Sequence, residues 1–141
     1  MGFSLERRGV PSAGAIHPVH ILVCDPSRAL WQRYDGERHA FHGLGAVPAG
    51  LLSACAAMVP WGQGRILFFA AEPGMTAAKY NDAVSLVLRD AGVLQGCAAI
   101  AAEALDLSFC LLGLTGDPWV SALSQEGKLR GVGAALVGSR A

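Results

Sequence analysis

Residues able to do chemistry are few in this chain, and they fall in short, separated groups. Lys79 and Tyr80 stand side by side. Either could take a proton from a substrate. The ordinary pKa of both is about 10, so a base role requires burial of the lysine or a cation beside the tyrosine. Pro11-Ser12-Ala13-Gly14-Ala15 forms a second group. Its small side chains leave backbone amides open to donate hydrogen bonds that bulky side chains would block. Taken alone, that loop is also an ordinary glycine turn entering a strand, and the pair an exposed lysine beside a half-buried tyrosine.

Other chemistries find little support. His17/His20 and His39/His42 are each spaced i,i+3, but no acidic residue or cysteine lies at a recognised metal spacing, so no metal is expected. Gly131-x-Gly133 is too short for a dinucleotide fingerprint, and neither a phosphate-binding G-x-x-x-x-G-K-[ST] run nor a G-x-S-x-G elbow occurs. Eleven basic residues balance 11 acidic ones, and only 16% of residues are charged, which excludes the electrostatic footprint of a nucleic-acid or anionic-membrane binder. The expected ligand is therefore small. A length of 141 residues with a 52% hydrophobic share suits a single domain over 1–141. A surface poor in charge favours an oligomer that hides part of it.

The first residues, Met1 to Arg8, lack the long apolar stretch of a signal peptide, so a cytoplasmic location is expected. The most apolar region, Ala83 to Leu107, is interrupted by Arg89, Asp90, Gln95 and Glu103 and reads as a buried helix surrounded by protein rather than a membrane span. Cys24, Cys55, Cys97 and Cys110 show no C-x-x-C spacing and lie in apolar segments, the pattern of buried free thiols.

The elements that must position these groups follow from pattern. Arg7 to Ala15 is a loop, His20–Cys24 a strand closed by Asp25-Pro26-Ser27, and Leu30–Tyr34 alternates in period two before an Asp35-Gly36 turn leading to Ala40-Phe41. Pro48–Met58 reads as a helix ended by Pro60-Trp61-Gly62, and Arg65–Ala71 as a buried strand. Met75 to Asp82 is an ordered loop or short helix. The long helix from about Val84 to Leu105 is the spine, its small residues implying close approach of neighbours at Ala98 and Ala101. Leu107–Leu114 is a strand, Asp117-Pro118-Trp119 starts a short helix with Asp at the cap, and Val132–Val137 is the last strand.

Four segments in this order resemble the nitroreductase superfamily, and within it the SagB/McbC-type branch of flavin-dependent azoline dehydrogenases. Pro11-Ser12-Ala13-Gly14-Ala15-Ile16-His17-Pro18 is similar to its P-S-A-G-A-x-x-P loop, and Thr76-Ala77-Ala78-Lys79-Tyr80-Asn81-Asp82 to its T-A-x-K-Y-G-D segment. Leu88-Arg89-Asp90-Ala91-Gly92 resembles an L-x-[DE]-A-G helix, and Ala102 to Leu114 the helix end and following strand. The resemblance implies an α+β, nitroreductase-like fold with a mainly antiparallel sheet flanked by helices and a long central apolar helix. It implies FMN as cofactor. Pro11, Ser12, Ala13 and Gly14 would lie along the ring, Gly113 would pass its backbone amide near flavin N5, and Arg7, Arg8 and Arg140 would supply charge for the phosphate. Lys79 and Tyr80 would stand near the substrate, where a proton leaves the azoline carbon as hydride goes to flavin.

The chain also departs from that pattern. It lacks the helical segment that usually precedes the loop, so it is expected to be N-terminally shortened; Val93 and Gly96 stand where the branch usually has His and Asn, and Asn81 replaces a glycine. Two functions follow from the resemblance. One is an FMN-dependent oxidoreductase, a homodimer acting on a small or modified-peptide substrate. The other is a flavin-free binding or scaffold subunit that pairs with a completing partner chain.

Overall fold

The computed structural model describes residues 9–58 and 63–140. Arg7 and Arg8, and the Pro60-Trp61-Gly62 stop expected after the first helix, lie outside them. Strands β1 (Val19–Asp25), β2 (Leu30–Asp35), β3 (Ala40–Gly43), β4 (Arg65–Ala71), β5 (Leu107–Leu112) and β6 (Arg130–Ser139) form one sheet in the order β3-β2-β1-β4-β6-β5. Every neighbouring pair is antiparallel. Helices α1 (Leu51–Met58), α2 (Pro73–Ala77), α3 (Ala83–Ala104) and α4 (Asp117–Ser121) complete the α+β fold.

Aspartates close the two hairpins. Asp25 accepts from the Ser27 backbone N–H at 3.1 Å and from its hydroxyl at 2.7 Å. Asp35 accepts from the N–H groups of Glu37 and Arg38 at 3.0 and 3.2 Å. A side chain that accepts from the backbone two or three residues on replaces the missing ladder partner in a turn.

Several boundaries differ from the sequence expectation, each for a local reason. Gly50, at φ +80°, delays α1 to Leu51. Pro73 opens α2, which makes part of the ambiguous stretch before α3 helical. Gly116, at φ +72°, takes the cap position of α4 in place of Asp117; a Cβ there would strike the Phe68 ring. Gly113 leaves the sheet, so β5 stops at Leu112.

Alternation along the strands gives the sheet two unlike faces. Leu22, Cys24, Trp31, Ile66, Phe68, Ala70 and Ala134 meet Leu51 and Cys55 of α1 and Val120 of α4 in one buried cluster. Trp31 and Phe68 pack edge-on with centroids 5.6 Å apart. Against the other face lies α3, which buries Val87, Ala91 and Ala102. It leaves Val84, Leu88, Val93, Ile100 and Leu105 exposed, Ile100 by 73%.

Three expectations are corrected here. The long helix is not surrounded by protein within one chain, because its apolar residues run around more of its circumference than a single sheet face can cover. Ala101 is exposed, and Ala102 is the small residue in contact. Only Cys24 and Cys55 are buried thiols; Cys97 is half-buried and Cys110 exposed, since β5 is an edge strand. Burial raises the Cys24 thiol to about 11, with Cys55 and Asp25 adding to the effect.

Candidate functional site

The Pro11–Pro18 loop is sharply contorted. Gly14, Ala15 and His17 all have positive φ, at +62°, +56° and +53°. Non-glycine residues in this region cost about 1 kcal/mol or more each, so the surroundings must hold them there. Asp90 of α3, only 8% exposed, does so. Its carboxylate accepts from the Ser12 hydroxyl at 2.6 Å and from the Ala13 N–H at 3.0 Å. Ser12 Oγ in turn accepts from the His17 N–H at 2.9 Å. One buried acid thus ties both ends of the turn, the far end through Ser12 Oγ, and its pairing by the Ser12 hydroxyl and the Ala13 amide offsets its burial.

Tyr80 closes the same cluster from the far side. A Cβ built on Gly14 would collide with the Tyr80 hydroxyl and lie 3.1 Å from its ring carbons, so only glycine permits this approach. Lys79 Nζ sits 5.5 Å from the centroid of the Tyr80 ring. Lys79 is exposed, whereas Tyr80 is half-buried with the Lys79 ammonium over its ring. The structure therefore joins Ser12, Ala13, Gly14, Lys79 and Tyr80 in one place. Pro11 lines the groove beside them.

Gly113 stands elsewhere. It opens a shallow bay lined by Gln95, Leu112, Thr115, Val132 and Gly133, and nothing lies within 4 Å of the place its Cβ would take. The Gln95 amide donates to Val132 O at 3.2 Å, and Gly133, at φ +151°, leaves room for that amide. Asp117 clamps the loop to β6, accepting from Gly131 N–H at 2.8 Å and from the Arg130 fork at 3.0 and 3.0 Å. These bonds, the Gly131 amide first, hold its carboxyl below the ordinary value. Asp90 and Gln95 are five positions apart on α3, which separates them by about 7.5 Å along the axis and about 140° around it. The loop and the bay consequently lie on different flanks of the helix.

Arg140 joins neither. Its guanidinium pairs with Glu103 and, at 3.4 Å, with Asp106, at the C-terminal end of α3. No group of three or more metal-ligating side chains occurs among the described residues. By length and composition α3 could cross a bilayer, but here it is fastened to the loop through Asp90 and to the sheet through Val87, Ala91 and Ala102. In the sequence Asp90 stands out as a polar break in an apolar helix and as the acid of the Leu88-Arg89-Asp90-Ala91-Gly92 segment, and Gln95 only as such a break. That was the available signal, since a lone carboxylate on a buried face needs a partner.

A groove of about 980 Å³ crosses the end of the sheet beside the loop, lined by Ser12, His17, His20, Arg33, Asp35 and Asp90 among others.

Comparison with solved structures places this architecture. The E. coli microcin synthetase McbBCD complex with truncated pro-MccB17 bound matches with a TM-score of 0.77 at 15% identity, over 98% of this chain and 57% of that one. A nitroreductase-like protein from Anabaena variabilis, described as a crystal structure, matches at 0.79 and 19% over 97% of this chain and 30% of that one. A similar protein from Ralstonia eutropha matches at 0.75 and 15% over 97% and 67%. The fold is nitroreductase-like, and the chain spans about half or less of the first two chains it matches. Neither a protein-family model nor a curated protein matches the sequence.

Proposed function

We propose that, on this nitroreductase-like fold, the protein is an FMN-dependent oxidoreductase of the SagB type, passing hydride from a peptide-derived or other small substrate to flavin. The observation that carries this reading is the meeting of the Ser12–Gly14 loop with Lys79 and Tyr80, from segments far apart in the chain, over a buried Asp90. The ring end of an FMN fits residues of this kind: Gly113 offers an uncovered backbone beside an open bay, and the Ser12–Gly14 turn has no large side chain. At the phosphate end, Arg140 is already engaged by Glu103 and Asp106.

When bound, FMN would supply the hydride acceptor. The chain's part is to orient and to move a proton. Asp90 holds the loop rigid, and Tyr80, as phenolate with the Lys79 ammonium over its ring, would take up the proton that the substrate loses with its hydride and become the neutral phenol. Because the loop and the Gly113 bay lie on different flanks of α3, one chain does not bring them together. Pairing of two copies, or of this chain with a completing partner, through the exposed apolar residues of α3, Val84 and Leu88 on one side and Ile100 on another, would unite one set from each. The occupied Arg140 favours a second reading, a flavin-free subunit that keeps the fold within a multichain assembly; McbBCD is such a complex.

The test is a visible spectrum of the purified protein titrated with FMN. A flavin band with one equivalent bound per chain, lost in Gly14→Val, is the expected result. A protein that stays colourless and does not quench added FMN fluorescence overturns the oxidoreductase and leaves the subunit reading.

A further inference from the structure

The face of the sheet that carries the apolar cluster does not stay apolar to its end. In β1 the residues on that face are His20, Leu22 and Cys24; in β2 they are Trp31, Arg33 and Asp35; in β3 His42 lies opposite Arg33. Leu22, Cys24 and Trp31 are buried under α1 and α4. Beyond the reach of those helices the same alternation places His20, Arg33 and His42, and Arg33 lies directly across from Leu22. His20 is half-buried there, whereas Arg33 and His42 are exposed, and all three line the groove.

The polar groups are arranged in a chain. Arg33 Nη2 lies 3.3 Å from His20 Nδ1, and His20 Nε2 lies 3.0 Å from Glu72 Oε2. Arg33 can only donate, so His20 Nδ1 accepts and its Nε2–H donates to Glu72. The neighbouring arginines are all matched with carboxylates: Arg28 and Arg65 with Asp25, and Arg38 with Asp35. Arg33 has no carboxylate partner among the described residues; it meets the His20 imidazole, which leaves most of its five N–H donors for another group. His42, its cross-strand neighbour, is turned to Asp35 at 3.1 Å. His20, Arg33, Asp35 and His42 line the same groove as Ser12, and Glu72 holds His20 from outside it.

We propose that Arg33, steadied by the His20–Glu72 pair, is the receptor for an oxyanion, a carboxylate or phosphate group of the ligand that occupies the groove. A guanidinium presents parallel donors that match either group bidentately, and a neutral imidazole at its back orients it without cancelling its charge. The proposal rests on the groove and not on the flavin reading, and its test needs no flavin.

The experiment is calorimetric titration of the full chain, without FMN, with inorganic phosphate in one arm and N-acetylglycine in the other, at low salt. Saturable binding of at least one probe is expected, weakened about tenfold or more in Arg33→Gln, the size of one lost charged hydrogen bond, and largely kept in Arg38→Gln, whose arginine is already paired. The arm that binds more tightly distinguishes a phosphate-bearing from a carboxylate-bearing ligand. Circular dichroism of both variants guards against unfolding. Equal binding by wild type and Arg33→Gln, or no binding of either probe, overturns the proposal; a protein that binds a probe through Arg33 but never FMN would sink the flavin reading alone.

Discussion

The two faces of the sheet are built on different principles. Under α1 and α4, Phe68, Val120, Leu51 and Cys24 are fully or almost fully buried, and few polar side chains intrude. Under α3 the packing is partial: Ala91 and Val87 touch the sheet, Asp90 is committed to the Ser12 loop, and Leu88 and Ile100 face outward. The closed face holds the fold together through buried apolar area. The open face carries the strained loop, the buried acid and the Lys79-Tyr80 pair. Apart from the Arg33 end of the closed face, stability and candidate chemistry are thus divided between opposite sides of one sheet, and the unfinished side is the one that could accept a second surface.

Substitutions can break or sharpen this contrast. The largest effect is expected on the closed face, where Phe68→Ala removes a ring packed between Trp31 and Trp119 and should cost about 3–5 kcal/mol in denaturant unfolding. A loss under 1 kcal/mol would mean that this cluster is not the centre of the fold. Next comes Asp90→Ala, which leaves the Ser12 hydroxyl and the Ala13 amide without their acceptor and should cost about 1–3 kcal/mol. Hydrogen exchange should quicken at Ala13 and His17 while the β4 amides stay protected; uniform loosening of both would show that the faces are not independent. The smallest effect on the chain itself is expected from Leu88→Glu with Ile100→Glu, since both side chains are exposed and surface changes usually stay within about 0.5 kcal/mol. If copies pair through α3, sedimentation should show the mass falling to that of one chain. An unchanged oligomer with full stability would place the contact elsewhere.

Much of the fold was legible before any coordinates. The continuous apolar run Arg65–Ala71 is a strand, and the Asp35-Gly36 turn joins two strands. The helix of Ala83–Ala104 agrees with the three-and-four spacing read from Val84 to Leu105. Boundaries went astray where one glycine redirected the chain, at Gly50, Gly113 and Gly116, because a single left-handed or unpaired residue leaves no trace in a periodicity spread over many. The candidate site was legible in part. Ser12, Gly14, Lys79 and Tyr80 stood out from their context, but Arg140 did not: at the end of the chain it looked free to meet a phosphate, and Glu103 and Asp106 reach it across the turn from α3 to β5.

What the sequence determined by itself is local: which stretches alternate, which run apolar, where aspartates and glycines turn the chain. Those properties depend on neighbours a few positions apart, and they are sufficient to set strands, helices and the antiparallel order of hairpins. The tertiary structure alone decided that Asp90 would meet Ser12 across 78 positions and that Gly14 would lie against Tyr80. It also decided that Arg33 would share a face with Leu22 and stand beside His20. Such contacts depend on strand register and on the flank a helix presents, and both are settled only when the whole sheet has assembled and its apolar face has been covered.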